Sequence, residues 1–292
     1  MTLLLPVFNG IAQGVLLFLV ASGLSLIFGV MGILNFAHGG FFALGAVVMY
    51  SLTAGAGLPL WQFVLLLIVG AAIVGAVGVI AEMAIFRRIY QLAPIDALFA
   101  TYAVLLTIQG AITQFWGVNP LGVGRPTELR GAARLAGVDV PAYDFLLIAV
   151  GAVVVVGLWW LLERTTFGRM VRATAADRTM SACLGVNVRF IFAAMFGLGS
   201  FLAGLGGGLI SPLVQIDTSL AATFVIQSFA VVIVGGLGSI LGALVASLLL
   251  GLLDSVLIAL DPTYASFSVY LGMTVILLLR PRGLFGHAPE RL

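Results

Sequence analysis

The sequence predicts an all-α integral membrane protein of roughly eight or nine transmembrane helices, allowing for re-entrant or broken ones. Three observations carry that prediction. Hydrophobic residues make up 62% of the 292 residues, charged residues only 8%, and the mean hydropathy is +1.23. A soluble domain carries about 25% charged residues, so this chain has too few to cover a water-facing surface. Its apolar residues fall in long runs separated by Arg, Pro and polar clusters, and about 20 apolar residues make one crossing. The arginines gather in a few of those separators.

The first run extends from about Val7 to Phe28 and lacks a basic leader and a small-residue cleavage site, so it reads as a retained span. A glycine-punctuated passage, Gly29 to Gly40, leads into a second span ending near Leu52. Gly55, Gly57 and Pro59 mark a turn before the third, Trp61 to Phe86, which stops on Arg87 and Arg88. Pro94 and Asp96 open the fourth: proline suits a first helical turn, and an acid suits the positive end of the dipole. That span reaches about Trp116. The region 117–143 holds prolines and mixed charge and is expected to be an extracytoplasmic loop. The fifth span, Asp144 to Leu162, runs into the most charged segment, 163–189. Four apolar runs follow, Phe190–Ile210, Phe224–Leu237, Ile240–Leu260 and Ala265–Leu279, and then a basic tail from Arg280. Residues 1–292 read as a single transmembrane domain.

Cytoplasmic loops retain Arg and Lys, which sets the orientation. Three clusters are expected in the cytoplasm: Arg87 with Arg88; Arg164, Arg169, Arg172, Arg178 and Arg189; and Arg280, Arg282 and Arg291. Two spans separate the first cluster from the second and four separate the second from the third. Both counts are even, so one topology satisfies all three. The N-terminus then falls outside, provided that Gly29 to Gly40 makes one turn and not a re-entrant pair. Arg125, Arg130 and Arg134 share the outside loop with Glu128 and Asp139.

Composition also excludes chemistry. The 13 basic residues are all arginine, so there is no Walker A lysine and no Schiff-base lysine. A single cysteine, Cys183, cannot form an intramolecular disulfide. His38 and His287 lie far apart with no metal-ligand spacing. No metal, no cofactor and no nucleic-acid partner are expected. A membrane enzyme would need a nucleophile–base pair that the sequence does not offer.

The segment Arg164 to Asn187 (RTTFGRMVRATAADRTMSACLGVN) carries the most information. Phe167, Met170, Val171 and Thr174 recur at spacings of three and four, as on one face of a short helix. Arg169, Arg172 and Asp177 lie off that stripe, and Gly168 and Gly185 bound it. Physics alone equally allows a solvated loop with an amphipathic helix lying on the lipid surface.

Asn35, Phe36, His38, Gly39 and Gly40 form a second candidate, because polar groups inside an apolar passage are costly unless they face a cavity or another helix. They read either as a broken helix lining a translocation path or as a structural turn. In the turn, Asn35 caps the next helix and His38 is satisfied by backbone. Gln215, Asp217, Gln227 and Ser228 lie toward the outside, where helix-end polar residues are ordinarily solvated; Gln227 joins the path candidates. Asp254 sits deep in an apolar run without a basic neighbour in its span; it reads either as a functional intramembrane carboxylate or as a group near the outer end with access to water. Glu82 is expected to pair at the Arg87/Arg88 end. Gly10/Gly14, Gly204/Gly208 and Gly238/Gly242 have the spacing that lets helices approach closely. Leu24–Gly45 and Val231–Gly251 are two glycine-rich passages of the kind that internal transporter repeats produce.

The Arg164–Asn187 segment resembles the cytoplasmic coupling loop of permeases of branched-chain amino acid ABC importers. GLSLIFGVMGILNFAHGGFFALGA, from Gly23 to Ala46, is similar to the N-terminal signature of the LivH-type subunit of that family. VVIVGGLGSILGALVASLLLG, at Val231 to Gly251, and the closing RPRGLFG at Arg280 to Gly286 match further, in the same order. The resemblance spans the chain from the first span to the tail. It implies the ABC importer permease fold and a half-pore in the bacterial inner membrane. Such a half-pore pairs with a second homologous permease and docks on cytoplasmic ABC ATPases, which bind the ATP. A periplasmic substrate-binding protein delivers leucine, isoleucine or valine. By that resemblance Phe167, Gly168, Arg169, Arg172, Ala173, Asp177 and Gly185 seat in the ATPase groove. Asn35, Phe36, His38, Gly39, Gly40 and Gln227 are the candidates for the translocation path. Relatives of the same architecture import urea, short amides, other amino acids or aromatic acids. An ion-driven secondary transporter is the alternative from another class; Asp254 with Asn35 is a thin set of ion ligands, and it leaves the charged segment unexplained.

Overall fold

A computed structural model describes residues 4–135, 137–281 and 283–285; His287, Arg282 and Arg291 lie outside them. Among the described residues the apolar runs fold into nine helical passages. These are α1 (Leu4–Met31), α2 (Ala37–Thr53), α3 (Leu60–Ala81), α5 (Pro94–Trp116), α6 (Ala142–Trp159), α9 (Val188–Ile210), α10 (Leu220–Gly235), α11 (Ile240–Leu260) and α12 (Ser268–Leu279). A π-helical turn, Glu82–Phe86, carries α3 into α4 (Arg87–Ile89), and a second, Trp160–Arg164, ends α6. Two amphipathic helices, α7 (Thr166–Ala176) and α8 (Arg178–Cys183), fill the charged segment. The outer loop folds into an antiparallel hairpin, β1 (Ala132–Leu135) with β2 (Val138–Pro141).

Six of the nine passages are long and apolar enough to cross a bilayer: Leu4–Met31, Leu60–Ile89, Pro94–Trp116, Ala142–Arg164, Val188–Ile210 and Ile240–Leu260. The helices α2, α10 and α12 are shorter, with 17, 16 and 12 residues. At 1.5 Å per residue, α2 covers about 25 Å of a hydrocarbon core about 30 Å thick. It is short because Gly32, at φ +68°, ends α1 and the chain runs non-helical to Asn35 before α2 begins.

The helix ends sort into two layers. At one, the Tyr90 hydroxyl meets Met31 Sδ at 3.2 Å, and Leu284 N–H donates to the Val234 carbonyl at the end of α10. At the other, Trp116 Nε1 donates to Ser51 Oγ at 2.7 Å, and Leu121 pairs with Ile216. The first layer holds Arg87, Arg88, the α7–α8 segment and Arg280; the second holds Arg125, Arg130, Arg134 and the hairpin. The arginines sort as the parity of the spans between them predicts, and because the Gly29–Gly40 passage makes one turn, with Met31 in the first layer and Ser51 in the second, the start of α1 falls in the hairpin layer.

Helix α1 is buried along most of its length, while α3, α5, α6 and α12 present apolar residues outward, among them Phe99, Val153 and Leu278. An apolar exterior around a packed interior is the surface that lipid requires. The glycine pairs serve packing within the chain. A Cβ on Gly10 would stand 2.8 Å from Leu252 Cα, and one on Gly14 2.9 Å from Leu248 Cα, so α11 lies directly on α1. Gly204 faces α2 and α3, Gly208 meets Leu67 and Met49, and Gly238 and Gly242 close on Gly29 and Gly235.

Gly45 and Gly204 meet backbone to backbone, a Cβ on Gly45 lying 2.6 Å from Gly204 Cα. Overpacking of this kind costs about 1–3 kcal/mol or more. Gly45→Val is therefore expected to lower the melting temperature of the detergent-solubilised protein. Gly110→Val, where nothing among the described residues lies within 4 Å, should leave it unchanged. Equal melting of the two variants would show that this crossing is not tight.

Glu82 is fully buried, and Arg87 Nε stands 3.2 Å from both of its carboxylate oxygens. An α-helix would turn residues five apart to different faces; the π turn, with its i→i+5 hydrogen bonding, brings them onto one. The pair expected at the Arg87/Arg88 end is present.

Candidate functional site: the α7–α8 segment and the α1–α2 turn

The charged segment is built by three side-chain caps. Thr165 Oγ1 accepts from Gly168 N–H at 3.1 Å to start α7 and donates to the Leu161 carbonyl at 2.5 Å. Asp177 Oδ1 accepts from Met180 N–H at 2.9 Å to start α8. Asn187 Oδ1 accepts from Phe190 N–H at 3.1 Å to start α9. Each cap satisfies one of the free N–H groups that open a helix. Gly185, at φ +85°, makes the turn between α8 and α9.

The expected stripe is the buried face of α7. Val171 and Thr174 are buried, and Phe167 and Met170 pack against the main core. Gly168 lies against the Leu161 and Leu162 carbonyls, where any side chain would collide. Phe167 and Gly168 thus seat the helix on the membrane domain. Arg169, Ala173, Asp177 and Gly185 are exposed. Arg172 is exposed but tied: it donates to the Leu162 carbonyl and pairs with Glu163 at 3.4 Å, fixing α7 to the end of α6. Two exposed apolar residues, Met180 and Leu184, extend the outward face.

Arg178 is the residue that sequence reasoning left without a role. Its Nη2 donates to the carbonyls of Met31 at 2.5 Å and Val30 at 3.2 Å, and its guanidinium lies 5.1 Å over the Phe192 ring. The last carbonyls of a helix have no intrahelical partner and form the negative end of its dipole. Arg178 therefore clamps the α7–α8 segment to the C-terminus of α1. No local spacing marks this contact, which joins residues 147 apart.

The clamp leads straight into the α1–α2 turn. Asn35 Oδ1 accepts from Ala37 N–H at 3.1 Å, and His38 Nε2 stands 2.8 Å from the Val20 carbonyl. Thr101 Oγ1 accepts from Phe36 N–H at 3.2 Å and also reaches the Leu34 carbonyl. The Phe36 ring packs at a tilt against Phe229, centroids 4.7 Å apart, while Gly39 fits against Ala221 and Val225 and Gly40 against Ile108. A helix cap and a backbone-satisfied histidine are the features of a structural turn. Asn35 Nδ2, His38 Nδ1 and Gln227 Oε1 are nonetheless buried without hydrogen-bond partners among the described residues.

Gln227 sits near the middle of α10, because that helix begins at Leu220 and not at Phe224. Ser228 Oγ donates to the Phe224 carbonyl within α10, and Asp217 Oδ1 accepts from Ser219 N–H and Oγ just before it; both bonds are local. Asp254 lies toward the hairpin end of α11 and accepts from Ser268 Oγ, the partner the sequence could not name. Among the described residues no three His, Cys, Asp or Glu side chains gather as metal ligands would.

A family model for the permease component of branched-chain amino acid transport systems matches residues 7–279. The chain is 27% identical over 294 residues to the high-affinity branched-chain amino acid transport system permease protein BraD of Pseudomonas aeruginosa, covering 97% of this chain and 95% of that one. It is 25% identical over 301 residues to the permease protein LivH of Escherichia coli K12, with the same coverage. To the probable branched-chain amino acid transport permease protein LivH of Methanocaldococcus jannaschii it is 29% identical over 291 residues, covering 93% and 89%.

Proposed function

The chain belongs to the family of permease components of branched-chain amino acid transport systems, and from that membership we propose that it forms half of the translocation path of an ATP-driven importer for leucine, isoleucine and valine in a bacterial inner membrane. A second, homologous permease supplies the other half. ABC ATPases dock on the exposed face of α7 and α8, and a periplasmic binding protein delivers the amino acid. ATP is bound and hydrolysed by the partner subunits; this chain has no lysine with which to build a phosphate-binding loop.

One observation carries the reading: an exposed face on α7 and α8, fixed to the membrane domain and clamped by Arg178 to the end of α1. Closure of the ATPases moves their grooves. A short helix whose buried side is fixed by Phe167, Gly168 and the Arg172–Glu163 pair follows as a rigid body. Arg178 passes that displacement to Met31, and hence to the turn 32–36. The Asn35 cap and the His38–Val20 hydrogen bond are the contacts that open when the turn moves. The unpaired Asn35 Nδ2, His38 Nδ1 and Gln227 Oε1 then find partners in the opened path.

The energy source separates this reading from ion-driven transport. Leucine uptake by cells expressing the complete importer is expected to stop on ATP depletion and to continue with an uncoupler when ATP is maintained. Uptake that collapses with the uncoupler and survives ATP depletion would sink the proposal. Competition by urea, short amides or aromatic acids in the same assay decides between cargoes.

A further inference from the structure

We propose that the cavity at the hairpin end of α1, α6 and α11 is an outward-facing subsite for the zwitterionic head of the transported α-amino acid. The proposal rests on the importer reading above and assigns residues to one step of it.

The cavity measures about 500 Å³, within the range of about 300–1,000 Å³ usual for small-molecule sites. It opens where the N-termini of α1 and α6 meet the C-terminus of α11, the layer that holds the hairpin and lies opposite the arginine-rich end. Its polar wall combines Asn9, Arg125, Asp144 and Asp254. Asp144 is 8% exposed, and neither it nor Asp254 has an ion-pair partner within 4 Å among the described residues. Carboxylates at helix ends inside an apolar domain are not turned toward lipid. This face therefore borders water or the second permease.

The groups suit a zwitterion. Asp254 is fixed by Ser268 Oγ through one carboxylate oxygen, Oδ1, leaving the other for an ammonium. Asn9 Oδ1 is buried without a hydrogen-bond partner among the described residues and is a second acceptor on the same wall. Arg125, held through Nε by the Pro212 carbonyl at 3.5 Å, keeps its terminal nitrogens for a carboxylate, a geometry that suits a guanidinium. Leu16, Leu147 and Ile258 supply an apolar wall for an aliphatic side chain. Two anions to one cation favour a ligand that brings an ammonium group, and the lone arginine selects one that also carries a carboxylate.

The test uses the complete importer in proteoliposomes with its binding protein. Asp254→Asn preserves the shape and the contact with Ser268. It is expected to lower leucine moved per ATP on the order of tenfold, while ATP hydrolysis stimulated by the leucine-loaded binding protein persists. In right-side-out vesicles, Ser255→Cys is expected to react with a membrane-impermeant maleimide, and leucine should slow that reaction more than isocaproate, which lacks the ammonium. Cys183, at the opposite end, stays unlabelled. A wild-type ratio in Asp254→Asn overturns the subsite if the wild-type complex itself transports leucine; if the wild type moves none, the importer reading fails first. Should Asp254→Asn not assemble, the cysteine decides alone. No labelling, or equal protection by leucine and isocaproate, overturns the subsite.

Discussion

Replacing Arg169 and Arg172 together by glutamate is expected to abolish ATP-driven uptake while leaving the protein in the membrane at its normal level. The two positions act differently. Arg169 is exposed and, among the described residues, its side chain bonds only Thr166, so its reversal changes the surface offered to an ATPase and little else. Arg172 is bound to Glu163 and the Leu162 carbonyl; reversal there sets two carboxylates side by side and loosens α7 from α6. Like-charge juxtaposition across an interface costs several kcal/mol, enough to lower docking more than about a hundredfold. The buried anchors of α7 remain, so insertion and packing persist. Arg169→Glu alone should weaken ATPase binding without changing melting, whereas Arg172→Glu alone should lower both. Membrane-fraction immunoblots, uptake and melting of the purified chain check the three variants. Normal transport by the double variant would remove the α7 face from the ATPase contact.

Arg178→Ala is expected to uncouple the importer. A hydrogen bond from a charged donor is worth about 1.5–3 kcal/mol, less where solvent reaches it, and Arg178 makes two to the end of α1. Their loss leaves the outward face of α7 and α8 intact, so the ATPases still bind. The turn 32–36 no longer follows them. The expected result is an ATPase-bound complex whose leucine uptake falls on the order of tenfold. Arg178→Lys, which keeps the charge but not the planar guanidinium over the Phe192 ring, should restore part of it. If Arg178→Ala transports at the wild-type rate with ATPases bound, force reaches α1 by another contact.

Most of the scaffold is legible in the sequence because lipid makes each element declare itself locally. Runs such as Trp61–Phe86 and Ile240–Leu260 are uniformly apolar for the thickness of a bilayer, and the structure places helices on them. Shorter helices are less legible. Ala221, Ala222 and Thr223 are too weakly apolar to announce that α10 begins at Leu220. Asp261 accepts from Thr263 N–H and Oγ1 and holds a 3-10 turn that delays α12 to Ser268. The hairpin 132–141 escapes because four-residue strands carry almost no periodic signal.

The α7 stripe of Phe167, Met170, Val171 and Thr174 is visible because a half-buried helix writes its period into the sequence. Within the seven residues read as ATPase-facing, sequence could not separate the anchors, Phe167 and Gly168, from the exposed Arg169, Ala173, Asp177 and Gly185. The direction of a helix face is set by what it packs on. The same holds for the glycine pairs: their spacing is plain, but that Gly10 and Gly14 meet α11 is a tertiary fact. The Arg178 clamp on α1 and the cavity that gathers Asn9, Arg125, Asp144 and Asp254 are made by residues far apart in the chain, so only the folded molecule brings them into view.

Docking of ATPases on α7 and α8 is tested most directly by affinity purification of the tagged chain from its own host's membranes in mild detergent, with crosslinking through the exposed Cys183 and mass spectrometry of what is retained. A second permease and one or more ABC ATPases are expected, with the ATPase lost when Met180 and Leu184 are replaced by aspartate. A chain that purifies reproducibly alone, crosslinker included, would contradict the assignment of that face and with it the ATP-driven importer.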